Sequence, residues 1–193
     1  PGSGRIPIDS WDVSTGEQLS HTDVAHNSQG ELRILAGVDA SSLFVYEAHR
    51  VRKFDTATGH VAVESRMDQL AYPLACSPDG TMIAEVNEAL RDRRVVVRDT
   101  RTLTPRFTLD GHTGYVHRQE FSVDSRWPRS AADDSTARVW DLSTNPPTSI
   151  VLQHPYRVGN IRFSADSTRV ATLALDRAIR VWDRATGRLL GTY

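Results

Sequence analysis

Lysine and cysteine are nearly missing from this 193-residue chain. The single cysteine, Cys76, excludes an internal disulfide. Set in the apolar run YPLACSPDG, it reads as a core thiol rather than a nucleophile. Lys53 is the one lysine beside 22 arginines, a bias that fits a GC-rich genome better than a functional choice. No stretch approaches the roughly 18 apolar residues of a membrane-spanning segment, so no membrane association is expected. There is no basic excess either. The net charge is −1, and the tightest basic run, Arg91, Arg93 and Arg94, is flanked by acids. A nucleic-acid footprint needs a local surplus of Lys and Arg, so nucleic acid is not an expected partner. The seven histidines show no close pairing with each other or with the cysteine at ligand spacing. No metal and no cofactor is therefore expected. No helical apolar stripe of useful length appears. The opening PGSG has neither Met nor a signal-like run. Residues 1–4 read as a linker or expression scar, and the expected location is cytoplasmic.

What the chain does have is repetition. DDSTARVWDLST at 133–144 returns as LDRAIRVWDRAT at 175–186, with Trp140 and Trp182 separated by 42 residues. Stepping back gives Arg98-Asp99, Phe54-Asp55 and Trp11-Asp12, so five registers stand at intervals of 43, 44, 42 and 42. Each is followed by a small polar turn such as TATG or RATG. A period near 40 residues is a statement about architecture.

Within a unit the pattern is one of short strands. In residues 112–153, VHRQEFSV reads as a strand anchored by Val116 and Phe121, and a weaker run through Ser130–Ala132 is the second. TARVWD alternates with period two as the third, and TSIVLQ is the fourth. Residues 154–193 repeat the scheme with NIRFSAD, RVATLAL, AIRVWD and RLLGTY. The expected fold class is all-β: a β-propeller of four-stranded antiparallel blades, incomplete or partial over this length.

These residues resemble the WD-repeat β-propeller family. Gly111-His112, FSVDS, Asp134 and Trp140-Asp141 carry the likeness, as do His154, FSADS, Asp176 and Trp182-Asp183, with SPDG at 77–80 as a first-hairpin turn. The likeness spans residues 5–193, divided into a part-blade at 5–22 and blades at 23–65, 66–109, 110–151 and 152–193. It implies a hydrogen-bonded relay in each blade: His112, Ser130, Asp134 and Trp140 in one, His154, Thr172, Asp176 and Trp182 in the next. The donor chemistry agrees, because indole only donates, carboxylate only accepts, and imidazole and hydroxyl do both. A His, Ser and Asp in one unit also matches a hydrolase triad. Recurrence in successive units, with a Trp as integral member, favours the structural role, and no catalytic residue is expected.

Two units depart from the pattern. In 66–109, Met67 stands at the His position and Arg98 at the Trp position, with Asp92 as the acid. In 23–65, Phe54 replaces Trp and Ala48 the acid. These blades are expected to rest on packing alone. Pro128 and Arg129 fall where apolar strand residues are usual, so that strand is expected to be bulged or frayed. Four and a half units do not close a seven-bladed ring. Upstream blades, or self-association through open ends, are expected to cover the faces left over.

The function these features imply is a non-catalytic scaffold that presents loop faces to partner proteins or peptides. The alternative is a regulatory or sensor domain of a larger bacterial signalling ATPase or kinase, and a propeller enzyme is the weakest reading. By the resemblance, residues beside the relay face the partner: Tyr115, His117, Asp133, Arg157 and Leu175.

Overall fold

The structure is a computed structural model that describes residues 3–11, 14–27, 32–38, 41–47, 49–67, 71–87 and 93–193. Every regular element among them is a strand. A two-stranded ribbon comes first, β1 (Ser3–Trp11) with β2 (Gln18–Asn27). Four antiparallel sheets of four strands follow. The first blade is β3 (Leu32–Ala36), β4 (Ser42–Glu47), β5 (Arg50–Asp55) and β6 (Val61–Arg66). The second is β7 (Ala71–Cys76), β8 (Met82–Asn87), β9 (Val95–Asp99) and β10 (Pro105–Leu109). The third is β11 (Val116–Phe121), β12 (Pro128–Ala132), β13 (Thr136–Asp141) and β14 (Thr148–Gln153). The fourth is β15 (Val158–Phe163), β16 (Arg169–Ala174), β17 (Ile179–Asp183) and β18 (Leu189–Thr192). Each strand pairs with its sequence neighbour, as a meander of tight turns requires.

The expected unit boundaries need small corrections. Ser3 and Gly4 already pair with Asn27 and His26, so the ladder begins inside the stretch expected to be a linker. The boundaries at 22, 65 and 151 fall within β2, β6 and β14, which run on to Asn27, Arg66 and Gln153. Asp12, Ala48 and Asp92 lie outside the described residues.

Alternation along each strand gives a blade two apolar faces, and the blades bury them against one another. The innermost strands lie side by side, β3 by β7, β7 by β11 and β11 by β15. Phe44, Tyr46 and Val51 meet Ile83 and Leu103 between the first and second blades, with Cys76 half-buried at their edge. Val86, Val95 and Val97 meet Val116, Phe121 and Trp140 between the second and third. Ala131, Ala137 and Val139 meet Val158, Ile161, Val170 and Trp182 between the third and fourth. A fully buried aliphatic or aromatic side chain is worth about 1.5–3 kcal/mol, so these interfaces hold the array together.

The strand through Pro128 and Arg129 is neither bulged nor frayed. All five residues of β12 are buried, and Arg129, Ser130 and Ala131 pair in register with β13. Pro128 stands at the strand's first position, where its missing N–H matters least. Arg129 is buried with one of its guanidinium nitrogens paired, while Nε and NH1 have no hydrogen-bond partner among the described residues. It donates to Glu120, which also binds Arg162 of the next blade, and its guanidinium lies 4.5 Å from the centre of the Phe163 ring. The irregularity sits one strand inward. The β11 ladder steps from Val116 to Arg118, skipping His117, and the same step occurs in β7 at Leu74 and in β15 at Gly159.

One face keeps no such cover. The 42-residue counterparts of Ala131, Ala137 and Val139 are Leu173, Ile179 and Val181 on β16 and β17. Leu173 and Ile179 are 40% and 47% exposed. Apolar surface of this kind drives association. Light scattering on the purified chain is expected to give a mass above 21.5 kDa. A Leu173→Asp/Ile179→Asp variant should shift it toward the monomer. A monodisperse 21.5 kDa species with a cooperative melt would contradict this.

Candidate functional site

The third blade brings His112, Ser130, Asp134 and Trp140 together. The Trp140 indole N–H donates to Ser130 Oγ at 2.9 Å. Ser130 sits 2.7 Å from His112 Nε2, and His112 Nδ1 sits 2.8 Å from Asp134 Oδ2. Indole cannot accept and carboxylate cannot donate, so the direction of every proton is set. Ser130 O–H donates to Nε2, and Nδ1–H donates to Asp134. Asp134 also accepts the Thr113 amide N–H at 2.8 Å and both the amide and the hydroxyl of Thr136, at 2.9 and 2.7 Å. Burial would raise the Asp134 carboxyl, but the bonds from Thr136, Thr113 and His112 overcome it and bring it down to about 2. Burial lowers the His112 imidazole even beside that carboxylate. The ring is therefore neutral near pH 7, and the Ser130 hydroxyl, 0% exposed, has no access to a substrate. The set holds strands together and cannot act as a nucleophile, base and acid.

In the fourth blade the relay is shorter. Trp182 N–H donates to Thr172 Oγ1 at 2.8 Å, and Thr172 donates to His154 Nε2 at 2.7 Å. His154 Nδ1–H then donates to the Leu152 carbonyl at 2.9 Å instead of to Asp176. Asp176, expected as the end of the relay, forms a fork with Arg180 at 2.6 and 3.2 Å. Three substitutions at the 42-residue spacing explain the difference. Thr113 becomes Pro155, which has no amide N–H, and Thr136 becomes Ala178, which has no hydroxyl. Ser149, the acceptor for Arg138 at 2.9 Å, becomes Gly191. Asp176 loses two donors, Arg180 loses an acceptor, and the two pair with each other.

The second blade does not rest on packing alone, contrary to expectation. Arg98 occupies the Trp position and Glu85 the Ser position of the ladder, as the pairings Ile83–Arg98 and Glu85–Val96 fix. Arg98 Nε–H donates to Glu85 Oε1 at 2.7 Å, with both side chains buried, and its NH1 donates to the Leu103 carbonyl at 2.8 Å. A third-strand donor again meets a second-strand acceptor. Burial raises the Glu85 carboxyl even against Arg98. In the first blade the same two positions hold Phe54 and Val45, which pack as an apolar pair. That blade carries a buried ion pair beside them, Arg52 to Glu47 at 2.7 Å.

Sequence reasoning missed the partner of the Trp. The Asp that follows it caps the next turn in every described unit. Asp55 accepts the Thr58 amide, Asp99 those of Arg101 and Thr102, Asp141 that of Ser143, and Asp183 that of Thr186, all between 2.8 and 3.1 Å. This is the turn chemistry that Asp performs well, and its presence in all five registers was the available signal.

The residues expected to face a partner lie at the hairpin end of the third and fourth blades. The step in β11 sets His117 out of the ladder, and bulges commonly re-aim a side chain in this way. His117 Nε2 lies 2.6 Å from Asp133 Oδ1, and Arg157 NH1 of the fourth blade lies 3.5 Å from the same oxygen. The Tyr115 ring meets His117 edge-on at 5.0 Å. Leu175 joins through its amide, which donates to the Arg157 carbonyl at 3.1 Å. Gly114 lets this loop close, since a Cβ there would come within 2.3 Å of the Asp134 nitrogen. Tyr115 and Leu175 are 40% and 55% exposed, and Tyr156 adds a third exposed apolar side chain. No group of three His, Cys, Asp or Glu residues suited to a metal ion occurs among the described residues.

Comparison with known proteins is consistent with this geometry. Residues 103–141 and 146–183 match the family of the WD domain, G-beta repeat. The chain is 42% identical over 163 residues to nuclear distribution protein PAC1 of Arthroderma benhamiae, which covers 78% of this chain and 34% of that protein. It is 30% identical over 162 residues to PAC1 of Arthroderma otae, with the same coverage. It is 28% identical over 147 residues to apoptotic protease-activating factor 1 of Danio rerio, covering 73% of this chain and 11% of that protein. The chain thus spans about a third of the length of the PAC1 relatives. None of these names is that of a bacterial signalling ATPase or kinase, and that alternative gains no support.

Two outcomes are expected. Asp134→Ala strands the His112 N–H and three further donors, and should cost about 1–3 kcal/mol in urea denaturation. Asp176→Ala removes the Arg180 fork and one bond from the Ala178 amide and should cost clearly less; equal losses would refute the distinction. The second concerns pH. The His112 and His154 imidazoles are both lowered from 6.5 by burial. The unfolded chain therefore takes up protons that the folded chain refuses. Stability is full above about pH 6.5 and falls as pH drops below it, with Asp134 adding a further loss between 3.8 and about 2. The urea midpoint should be lower at pH 5.5 than at 7.5, and His112→Asn should flatten that difference. Equal midpoints at the two pH values would contradict the buried neutral imidazoles.

Proposed function

This chain belongs to the WD-repeat β-propeller family, and from that premise we propose that it is a non-catalytic interaction scaffold that binds a partner protein or peptide across the Tyr115, His117, Asp133, Arg157 and Leu175 cluster. The observation that carries the proposal is the sharing of Asp133 by His117 and Arg157, which ties the exposed rings and charges of two adjacent blades into one surface. Tyr and Arg in a pre-set geometry are common interface anchors, because little side-chain freedom is left to lose on binding. The rigid blades beneath supply the positioning. His112, Ser130 and Asp134 lie directly below, so the relay holds the hairpin that carries Asp133. A cytoplasmic site of action belongs to the same proposal. Among the described residues no helix is long and apolar enough to cross a membrane.

The test uses a partner captured by pull-down with the full chain. A Tyr115→Ala/Arg157→Ala/Leu175→Ala variant is expected to lose binding by tenfold or more while keeping its melting temperature. Undiminished binding would move the interaction to another surface.

A further inference from the structure

The first blade sets two arginines opposite each other on neighbouring strands. Arg50 at the start of β5 pairs directly with Arg66 at the end of β6. Two guanidinium groups directly opposite on one face repel each other and destabilise a sheet. They line a cleft of about 310 Å3 together with His49 and Glu64. The acids nearby pair with Arg50 and Arg52, which leaves the charge of Arg66 as the cleft's positive excess. Glu47 is buried against Arg52 at 2.7 Å and lies 3.8 Å from Arg50, while Glu64 lies 3.7 Å from Arg50. Arg66 is exposed.

We propose that this cleft is a binding site for a single oxyanion group, a carboxylate or a phosphoryl, held between Arg50 and Arg66 with the His49 ring at its rim. Guanidinium groups present paired N–H donors that match both oxyanions, and the pair's mutual repulsion is relieved when an anion sits between them. The cleft lies at the β4–β5 hairpin end of its blade, the topological equivalent of the hairpin that carries Asp133 two blades away. The proposal stands apart from the function proposed for the Asp133 cluster, and each can fail without the other.

The test is a titration of the full 15N-labelled chain at fixed ionic strength, with sodium phosphate in one arm and sodium acetate in the other. At least one anion should give saturable shifts of the amides of His49, Arg50 and Arg66 and of the Arg Nε–H signals. The arm that saturates at lower concentration assigns the phosphoryl or the carboxylate source. Arg66→Gln should weaken that binding by tenfold or more, with Arg50→Gln as the second variant, while Arg101→Gln should leave it unchanged. Without anion, Arg66→Gln should melt no lower than the parent, since a repulsive pair has been removed. Shifts that stay linear in both arms, or that persist in Arg66→Gln, would overturn the proposal. So would a lower melting temperature for Arg66→Gln, because it would make Arg66 a structural residue.

Discussion

At one position of the third strand, that of Trp140, Trp182 and Arg98, a buried polar donor meets an acceptor on the second strand, and much else in this structure follows from how that is done. Water cannot reach the site, and an unpaired buried group costs about 1–3 kcal/mol. The third blade meets the demand with Trp140 and Ser130, the fourth with Trp182 and Thr172, and the second with Arg98 and Glu85. The first blade removes the demand by placing Phe54 against Val45. One pair of ladder positions thus accepts a neutral hydrogen bond, an ion pair or an apolar contact while the backbone register stays the same. The ion pair is the dearest of these, because both charges must be stripped of water before they can attract.

The link also determines what lies above it. In the third blade the hydroxyl passes its proton toward His112, the imidazole passes its own to Asp134, and the carboxylate gathers the Thr113 and Thr136 amides. The next residue back, Asp133, is thereby held where it can reach His117 and, across the blade boundary, Arg157. A core constraint is converted into the geometry of an exposed surface. The fourth blade stops the relay at a backbone carbonyl, and its acid turns to Arg180. Its hairpin is fixed by a fork near the surface and not by a chain running to the core.

The repeat, the strand order and the third-blade relay were legible because they depend on spacing. Trp140 and Trp182 stand ten residues after Ser130 and Thr172 in both blades. The Arg98–Glu85 link was not legible, since the longer hairpin stretches the same spacing to 13. Asp176 shares the spacing of Asp134 and still differs, because the outcome depends on donors contributed by Thr113 and Thr136. Pro155 and Ala178 carried that information in plain view. The burial of Arg129 depended on Glu120 and Phe163, which come from different strands and could not be paired with it by sequence distance.

The two ladder positions form an exchangeable link. The direct measurement is urea denaturation of the parent chain, Glu85→Ser, Arg98→Trp and the double variant Glu85→Ser/Arg98→Trp. Each single change leaves a buried partner stranded and should cost about 3–5 kcal/mol. The double variant installs the Trp-to-Ser bond of the third blade, and should return to the parent's stability or exceed it. A double variant as unstable as the sum of the two singles would show that the positions are not equivalent, and would contradict the account.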